Sequence, residues 1–511
     1  MAGAPTVGTT QWSSRFAFIM AAVGSSVGLG NLWRFSAEAG SNGGGAFIMI
    51  YLACVIFIGI PVLMSEFIIG RAGNAASAIR SVDDVAERSG VSKQWSILGV
   101  TGMAASFLIV SFYCVVAAWI IVYIPKFLGG SFAGQSSGQI ASQFYHILGI
   151  SEEVTNEPQK ILFAPKQVLL AFTFFAFLTT FLVARGVNKG IEFASKILMP
   201  LFFVLLICLA LYSLATGFST EVVVDGKVSN GATEALKFLF KPDFAAITPE
   251  VATAALGQAF FSIGLGSAIM ITYGSYLPKN ISIPKSAIIV GLTDTAVAMI
   301  AGLAIFPIVF SHGLDFSAGA GIFFQTLPVA LSNAPGGIFI GAAFFFLAIF
   351  AAVTSSISLL EPTVAWVMEK INISRLVAAS GAGLVMWLLG LGSIYVVGFM
   401  DVIDGELTGA IMLPLTGLLT ILFVGWRMKK SLVLEQMHGV SQGLQNFLLL
   451  LVRFVAPIFV SIVLVAGIYS RYFAEKTGAE IFASHNFRRL LVLFAVLVTV
   501  FVVMKMQNRK A

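Results

Sequence analysis

Apolar runs of about 20 residues, separated by short polar stretches, recur along the whole chain, and a run of that length crosses a hydrocarbon core of roughly 30 Å as a helix. Read between charged or turn-rich segments, the pattern predicts twelve transmembrane helices, near 13–36, 44–70, 97–124, 167–184, 191–216, 252–276, 285–311, 338–369, 375–396, 401–427, 445–470 and 487–506. Composition agrees: 58% of the 511 residues are hydrophobic and 11% charged, against roughly 25% charged in an average soluble protein. Lipid is therefore the expected solvent. The expected class is an all-α membrane protein, a single membrane transport domain over 1–511, with the longest segments between spans at about 125–166 and 217–250.

Charge sets the expected orientation. An even number of spans puts both termini on one side. The loop bearing Arg71, Arg80, Arg88 and Lys93 falls on that side, as do Arg185 and Lys189, Lys370 and Arg375, and Arg427, Lys429 and Lys430. Stretches 312–337 and 396–406 carry no Lys or Arg. The basic side is the expected cytoplasmic side, with both termini there. The net charge of +6 is spread over these loops and forms no stripe, which argues against a nucleic-acid partner. Met1 to Thr10 lack the charged and apolar regions of a signal peptide, so the first run is expected to be a retained helix. Cys54, Cys114 and Cys208 each lie inside an apolar run, which predicts packing roles rather than disulfides or zinc ligation. The four histidines, His146, His312, His438 and His485, are isolated near loops or span ends. No nucleophile, metal or phosphate-cradle motif accompanies them, so an enzyme is not expected.

Two of the runs are interrupted in their middles. The first holds Gly24-Ser25-Ser26-Val27-Gly28-Leu29-Gly30-Asn31, and the sixth Ser262-Ile263-Gly264-Leu265-Gly266-Ser267. Glycine is the costliest residue after proline in a helix interior. Backbone groups freed at mid-membrane need partners that lipid does not offer, so broken helices line a buried polar space. Small-residue packing faces are the alternative reading of either stretch. Both together, with Ser and Asn interleaved, favour a binding site between two inverted repeats, spans 1–5 and 6–10.

Eight polar positions inside the spans need partners: Asn31, Arg34, Glu66, Asp294, Thr354, Ser355, Glu361 and Asp404. Asp294, Asn31, Ser26, Ser262, Thr354 and Ser355 together supply the oxygen ligands a hard alkali cation requires. Thr354 and Ser355 have a competing use, bonding back to the preceding turn of their own helix. Arg34 and Asp404 sit near span ends, where either side chain reaches water unaided.

One segment is highly specific: Trp12-Ser13-Ser14-Arg15, then Gly28-Leu29-Gly30-Asn31-Leu32-Trp33-Arg34-Phe35, then Asn42-Gly43-Gly44-Gly45-Ala46-Phe47. It closely resembles the neurotransmitter:sodium symporter family. Further matches are Gly59-Ile60-Pro61 with Glu66 and Gly70-Arg71, the run Arg185-Gly186-Val187 to Gly190-Ile191-Glu192, Gly257-Gln258-Ala259-Phe260-Phe261-Ser262, and Thr354-Ser355-Ser356. The resemblance covers spans 1 to 10 and, more loosely, the last two. It implies the leucine-transporter fold: a 5+5 inverted repeat over 13–216 and 252–427, unwound helices 1 and 6, two further helices over 445–506, and a short cytoplasmic segment at 1–12.

By the same resemblance, one sodium is held by Ser26, Asn31, Ser262 and Asp294, with Thr293 the neighbouring alternative on the seventh span. A second is held by the carbonyls of Gly24, Val27 and Ala351 and the hydroxyls of Thr354 and Ser355. Substrate is expected against Ser25, Leu29, Gly30, Ile109, Tyr113, Phe261, Ser262, Gly264, Ser267, Ser355 and Leu359. Arg34 and Asp404 match an outer gate pair, and Tyr276 and Glu369 match inner gate positions.

Three departures matter. Thr9-Thr10-Gln11 stand where the family usually has an arginine, so the inner gate is expected to be built differently. Ser36 replaces the proline after Arg-Phe. Asp294 occupies a position that animal members fill with asparagine, and a fixed carboxylate there predicts chloride independence. Monoamine members carry aspartate where this chain has Gly28, which argues for a substrate with its own carboxylate. The expected activity is sodium-coupled import of a small zwitterionic, neutral amino acid by a plasma-membrane protein, a monomer or weak homodimer, leaning bacterial. Taurine, GABA or another omega-amino acid stays open as substrate, as does a non-transporting sensor of the same fold.

Overall fold

The computed structural model describes residues 11–149, 166–224, 226–314, 321–396 and 398–472. The expected span 487–506 and most of segment 1–12 lie outside them. Nine helices among the described residues are long and apolar enough to cross a membrane, or ten if one bent pair counts as a span. That pair is α1 (Arg15–Ser26) and α2 (Gly30–Ser41), inclined at 52° across a short break. The chain continues through α3 (Gly45–Gly73), α4 (Ala78–Ser89), α5 (Lys93–Leu128), α6 (Ser137–Leu148), α7 (Lys166–Ala184) and α8 (Val187–Ser219). A small antiparallel hairpin follows, β1 (Glu221–Val224) and β2 (Lys227–Asn230), then α9 (Gly231–Phe240). The sixth expected span is two pieces, α10 (Pro249–Ile263) and α11 (Ile269–Ser275). Next come α12 (Ile283–Ser311), α13 (Leu327–Asn333), α14 (Gly337–Ile371), α15 (Arg375–Tyr395), α16 (Phe399–Arg427), α17 (Lys430–Gln436) and α18 (Gln442–Tyr469).

Burial separates core from periphery. The most apolar window of α5 is 78% buried and that of α8 only 33%, so equal hydropathy serves protein in one helix and lipid in the other. On α7, Leu170, Phe174, Phe177 and Phe181 stand exposed at helical spacing, a stripe suited to hydrocarbon. Cys54 and Cys114 are buried as expected, whereas Cys208 is exposed on α8 and corrects the packing role given to it. α14 lies along α5, α12 along α8, and α11 against α3. The broken pieces α1, α2, α10 and α11 are enclosed by this frame, with α1 in contact with α8, α12 and α14.

The interruptions have local causes. α1 ends as Val27 turns to ψ 104°, after its N–H bonds Val23 O. α10 ends on Gly264 at φ +72°, and Gly266 follows at φ +77°. Both are left-handed conformations that glycine enters without steric cost. A Cβ on Gly266 would lie 2.2 Å from Leu413 O, so close backbone approach adds a second requirement there.

Candidate functional site

The two breaks meet, and their freed backbone groups find partners in side chains. Gly28 N donates to Asn31 Oδ1 (3.0 Å) and Leu29 N to the Tyr113 hydroxyl (3.2 Å). Gln258 Nε2 donates to Gly30 O (3.1 Å). Gly266 N is taken by Glu66 Oε1 at 2.7 Å, and the Ser26 hydroxyl donates to Ile263 O at 3.1 Å, tying one break to the other. Sequence reasoning marked Glu66 as a charge in need of a partner. The partner, a main-chain amide about 200 residues away, carries no sequence signal.

Asn31, Ser262 and Asp294 form one buried cluster. Asn31 Nδ2 donates to Ser262 Oγ (2.9 Å) and Asp294 Oδ1 (2.8 Å), and Ser262 Oγ donates to Asp294 Oδ2 (2.6 Å). Asn31 and Asp294 are fully buried and Ser262 nearly so. Asp294 and not Thr293 bonds within the cluster, and Thr293 is partly exposed. Among the described residues no basic side chain bonds this carboxylate, and a buried carboxylate without a cation is costly.

A second cluster joins α1 to α14. Ser355 Oγ lies 3.3 Å from Gly24 O, 3.4 Å from Ser25 O and 3.3 Å from Val27 O. Thr354 Oγ1 donates to Phe350 O and Ala351 O, each at 3.1 Å. Of the five residues expected at a second sodium site, Ser355 thus reaches Gly24 and Val27, while Thr354 reaches Ala351 and makes the back-bond foreseen as its competing use.

The residues expected at substrate are spread over the two breaks, α1, α2, α5, α10 and α14. Ile109 and Tyr113 are one turn apart on α5, and Ser355 and Leu359 one turn apart on α14; all four are buried. Ser25, Gly30, Phe261 and Gly264 remain partly exposed. Ser267 Oγ donates to Gly264 O (2.6 Å). A Cβ on Gly28 would meet Ser355 Oγ at 2.7 Å and Tyr113 OH at 2.9 Å, while one on Gly264 would meet nothing within 4 Å. The space is closed at Gly28 and open at Gly264.

At the end bearing Arg34, the guanidinium lies 4.3 Å over the Phe261 ring, within cation–π range, and 3.7 Å from Glu38. Asp404 sits at the start of α16, its carbonyl accepting the Thr408 hydroxyl. The opposite end, bearing Trp12, is tightly closed. The Trp12 indole donates to Tyr273 O (3.1 Å), and Trp12 N to Tyr276 O (3.2 Å). The Tyr276 hydroxyl donates to Glu361 Oε1 (3.1 Å), and Glu361 is paired with Arg375. Glu369 instead accepts from Ser77 and from Arg80 Nη1 (3.3 Å). Tyr276 and Glu369 therefore do not bond each other but meet neighbouring residues, since the Tyr276 hydroxyl also reaches Ala76 O (3.4 Å), and Ser77, Arg80, Glu361 and Arg375 are partners that spacing did not foretell.

Comparison with known proteins places this geometry. The family model described as the sodium:neurotransmitter symporter family matches residues 9–139 and 160–510. An uncharacterized sodium-dependent transporter of Bacillus subtilis, YhdH, is 38% identical over 89% of this chain and 96% of its own length. An uncharacterized sodium-dependent transporter of Haemophilus influenzae is 32% identical over 90% of this chain and 98% of its own. Among solved structures, MhsT in complex with L-phenylalanine superposes with a TM-score of 0.77 at 39% identity, covering 90% of this chain and 99% of that one.

Proposed function

This chain belongs to the sodium:neurotransmitter symporter family, a family of multi-pass secondary transporters and not of enzymes, and from that premise we propose that it imports a neutral amino acid with two sodium ions. The observation that carries the proposal is the buried Asn31–Ser262–Asp294 cluster at the meeting of two helix breaks. A carboxylate there, with amide and hydroxyl oxygens beside it, suits a sodium ion, which would supply the missing positive charge. The side-chain oxygens of Asp294, Ser262 and Asn31 would hold the ion. The second ion is assigned to the carbonyls gathered by Thr354 and Ser355.

Substrate size follows from the two glycines. The space closed at Gly28 excludes an aspartate that would pair an amine, so the substrate brings its own carboxylate to the first sodium, Tyr113 and the amides of Leu29 and Gly30. The open side at Gly264 and the apolar Ile109 and Leu359 favour a medium-to-large hydrophobic side chain, and the relative solved with L-phenylalanine supports that choice. The permanent charge of Asp294 makes chloride unnecessary. Each sodium crossing about 100 mV yields about 2.3 kcal/mol, and a tenfold gradient adds about 1.4. Two ions then sustain a substrate ratio on the order of 10⁵. The Trp12 end is assigned to the cytoplasm of a plasma-membrane protein, which makes this arrangement closed inward.

Reconstituted protein should accumulate labelled L-phenylalanine or leucine with sodium outside, equally in chloride and gluconate, and not with potassium. Asp294→Ala should abolish the uptake. Binding without sodium-driven uptake or exchange of any amino acid tested, taurine and GABA included, would sink the symport reading in favour of a sensor.

A further inference from the structure

The three residues that lead into α1 are stitched to two helices at once. Toward α11, Trp12 makes the two bonds described above. Toward α8, Asn188 Nδ2 donates to Gln11 O (3.0 Å), Ser13 N donates to Glu192 Oε2 (3.1 Å), and the Ser13 hydroxyl donates to Glu192 Oε1. Glu192 ends a π-helical segment, Val187–Glu192, that opens α8, and its side chain is 4% exposed. Its own helix supplies two more donors, Asn188 Nδ2 at 3.1 Å and Lys196 Nζ at 2.6 Å, and Lys196 also reaches Ser13 Oγ at 2.9 Å.

This division of donors has a consequence for motion. Asn188 and Lys196 sit one turn either side of Glu192 and hold its carboxylate whether or not α1 is present. When α1 leaves, the carboxylate keeps a cation and an amide, so release does not strand a buried charge, which would be prohibitive. Ser13 loses only bonds that water replaces. An interaction that is strong when made and cheap to leave is what a two-state element requires. The family's usual arginine is missing from residues 9–11, and Glu369 is engaged by Ser77 and Arg80, so closure of α1 has to draw on other groups.

We propose that Glu192 is a positioning residue for the transport cycle: it latches the Trp12 end of α1 to α8 in the inward-closed state through Ser13. The latch holds the half-helix that carries Gly24, Ser26 and Val27, so it stabilises the sodium-binding arrangement without touching sodium. This rests on the reading above that α1 carries sodium ligands and moves.

The test is amide hydrogen exchange on the full chain in nanodiscs, titrated with sodium chloride against potassium chloride. Ser13→Ala removes the hydroxyl and keeps both the Ser13 N–H bond to Glu192 and the Glu192–Lys196 pair, so the fold is kept. In Ser13→Ala, peptides covering 11–26 and 269–276 should exchange faster while those of α8 stay protected. The sodium needed for half-maximal protection should rise about tenfold, the weight of one charge-assisted hydrogen bond. Glu192→Gln should shift it the same way, the double variant should add little, and Ser13→Thr should restore it. Wild-type exchange and sodium dependence in both Ser13→Ala and Glu192→Gln would overturn the latch. Should the wild type show no sodium-dependent protection, the sodium reading falls, while faster exchange of 11–26 in Ser13→Ala still decides for the latch and unchanged exchange against it.

Discussion

Asp83 on α4 faces a cavity of about 510 Å³ shared with Arg80, Asp84, Lys93, Glu369 and Lys370. Burial pushes its carboxyl up from 3.8 to about 6, and Lys93, a bond from Ser96 and Arg80 offset this only in part. The folded state therefore holds the proton more tightly than the unfolded chain. Ionising Asp83 costs stability, with no cost below about pH 3.8, a growing one between 3.8 and 6, and the full cost above. Asp83→Asn should raise the melting temperature at pH 7.5, with the gain shrinking as pH falls through 6 and gone near pH 4. A thermal-shift series over that range checks it, and a gain that persists at pH 4 contradicts it. At this scale the sequence was informative about which residues carry unusual chemistry, because a polar group in an apolar run stands out. It was silent about partners: Glu66 with Gly266 N, Glu361 with Arg375, and Glu369 with Ser77 and Arg80 are joined only by the fold.

Among elements, the glycines of the sixth span separate two effects that look alike in sequence. Gly264→Ala places a methyl in open space and bears only the left-handed backbone strain, about 1–2 kcal/mol. Gly266→Ala bears the same strain and also drives a carbon against Leu413 O. Gel filtration of the two variants should return folded Gly264→Ala, with its preference shifted toward smaller amino acids in competition assays, and little or no folded Gly266→Ala. Equal yields would contradict the backbone contact. The long spans were legible to within a few residues because a lipid-crossing helix must be apolar over a fixed length. The intervening elements α4, α6, α9, α13, α17 and the hairpin were not assigned, since short helices and lone hairpins take their stability from packing. α4 did carry a readable signal, with Ser77 as N-cap and Gly90 in the left-handed position at its end.

Across the whole molecule, the Arg34 end is organised by Phe324, in the π-turn that precedes α13. Its ring stacks on Phe144 of α6 (4.9 Å) and meets Trp33 of α2 and the α5 residues Trp119 and Tyr123 within 6 Å, while its carbonyl accepts the Tyr123 hydroxyl (2.7 Å). One buried ring thus connects a connecting segment to α2, next to Arg34. Phe324→Ala should cost roughly 3–5 kcal/mol of stability, read as a lower unfolding midpoint in detergent. A change below about 1 kcal/mol would deny it that place. Nothing in the spacing of these five residues distinguishes them from the chain's other aromatics. The sequence by itself determined that the chain is built of lipid-crossing helices, where the spans among the described residues run, that two of them break, and which polar residues the breaks carry, because each follows from the composition of a single segment. Only the tertiary structure decided that the breaks meet, that Asp294 and not Thr293 faces Asn31 and Ser262, and that residues 11–13 are held by α8 and α11. Those are contacts between segments remote in the chain, and their distances are fixed by how whole helices pack.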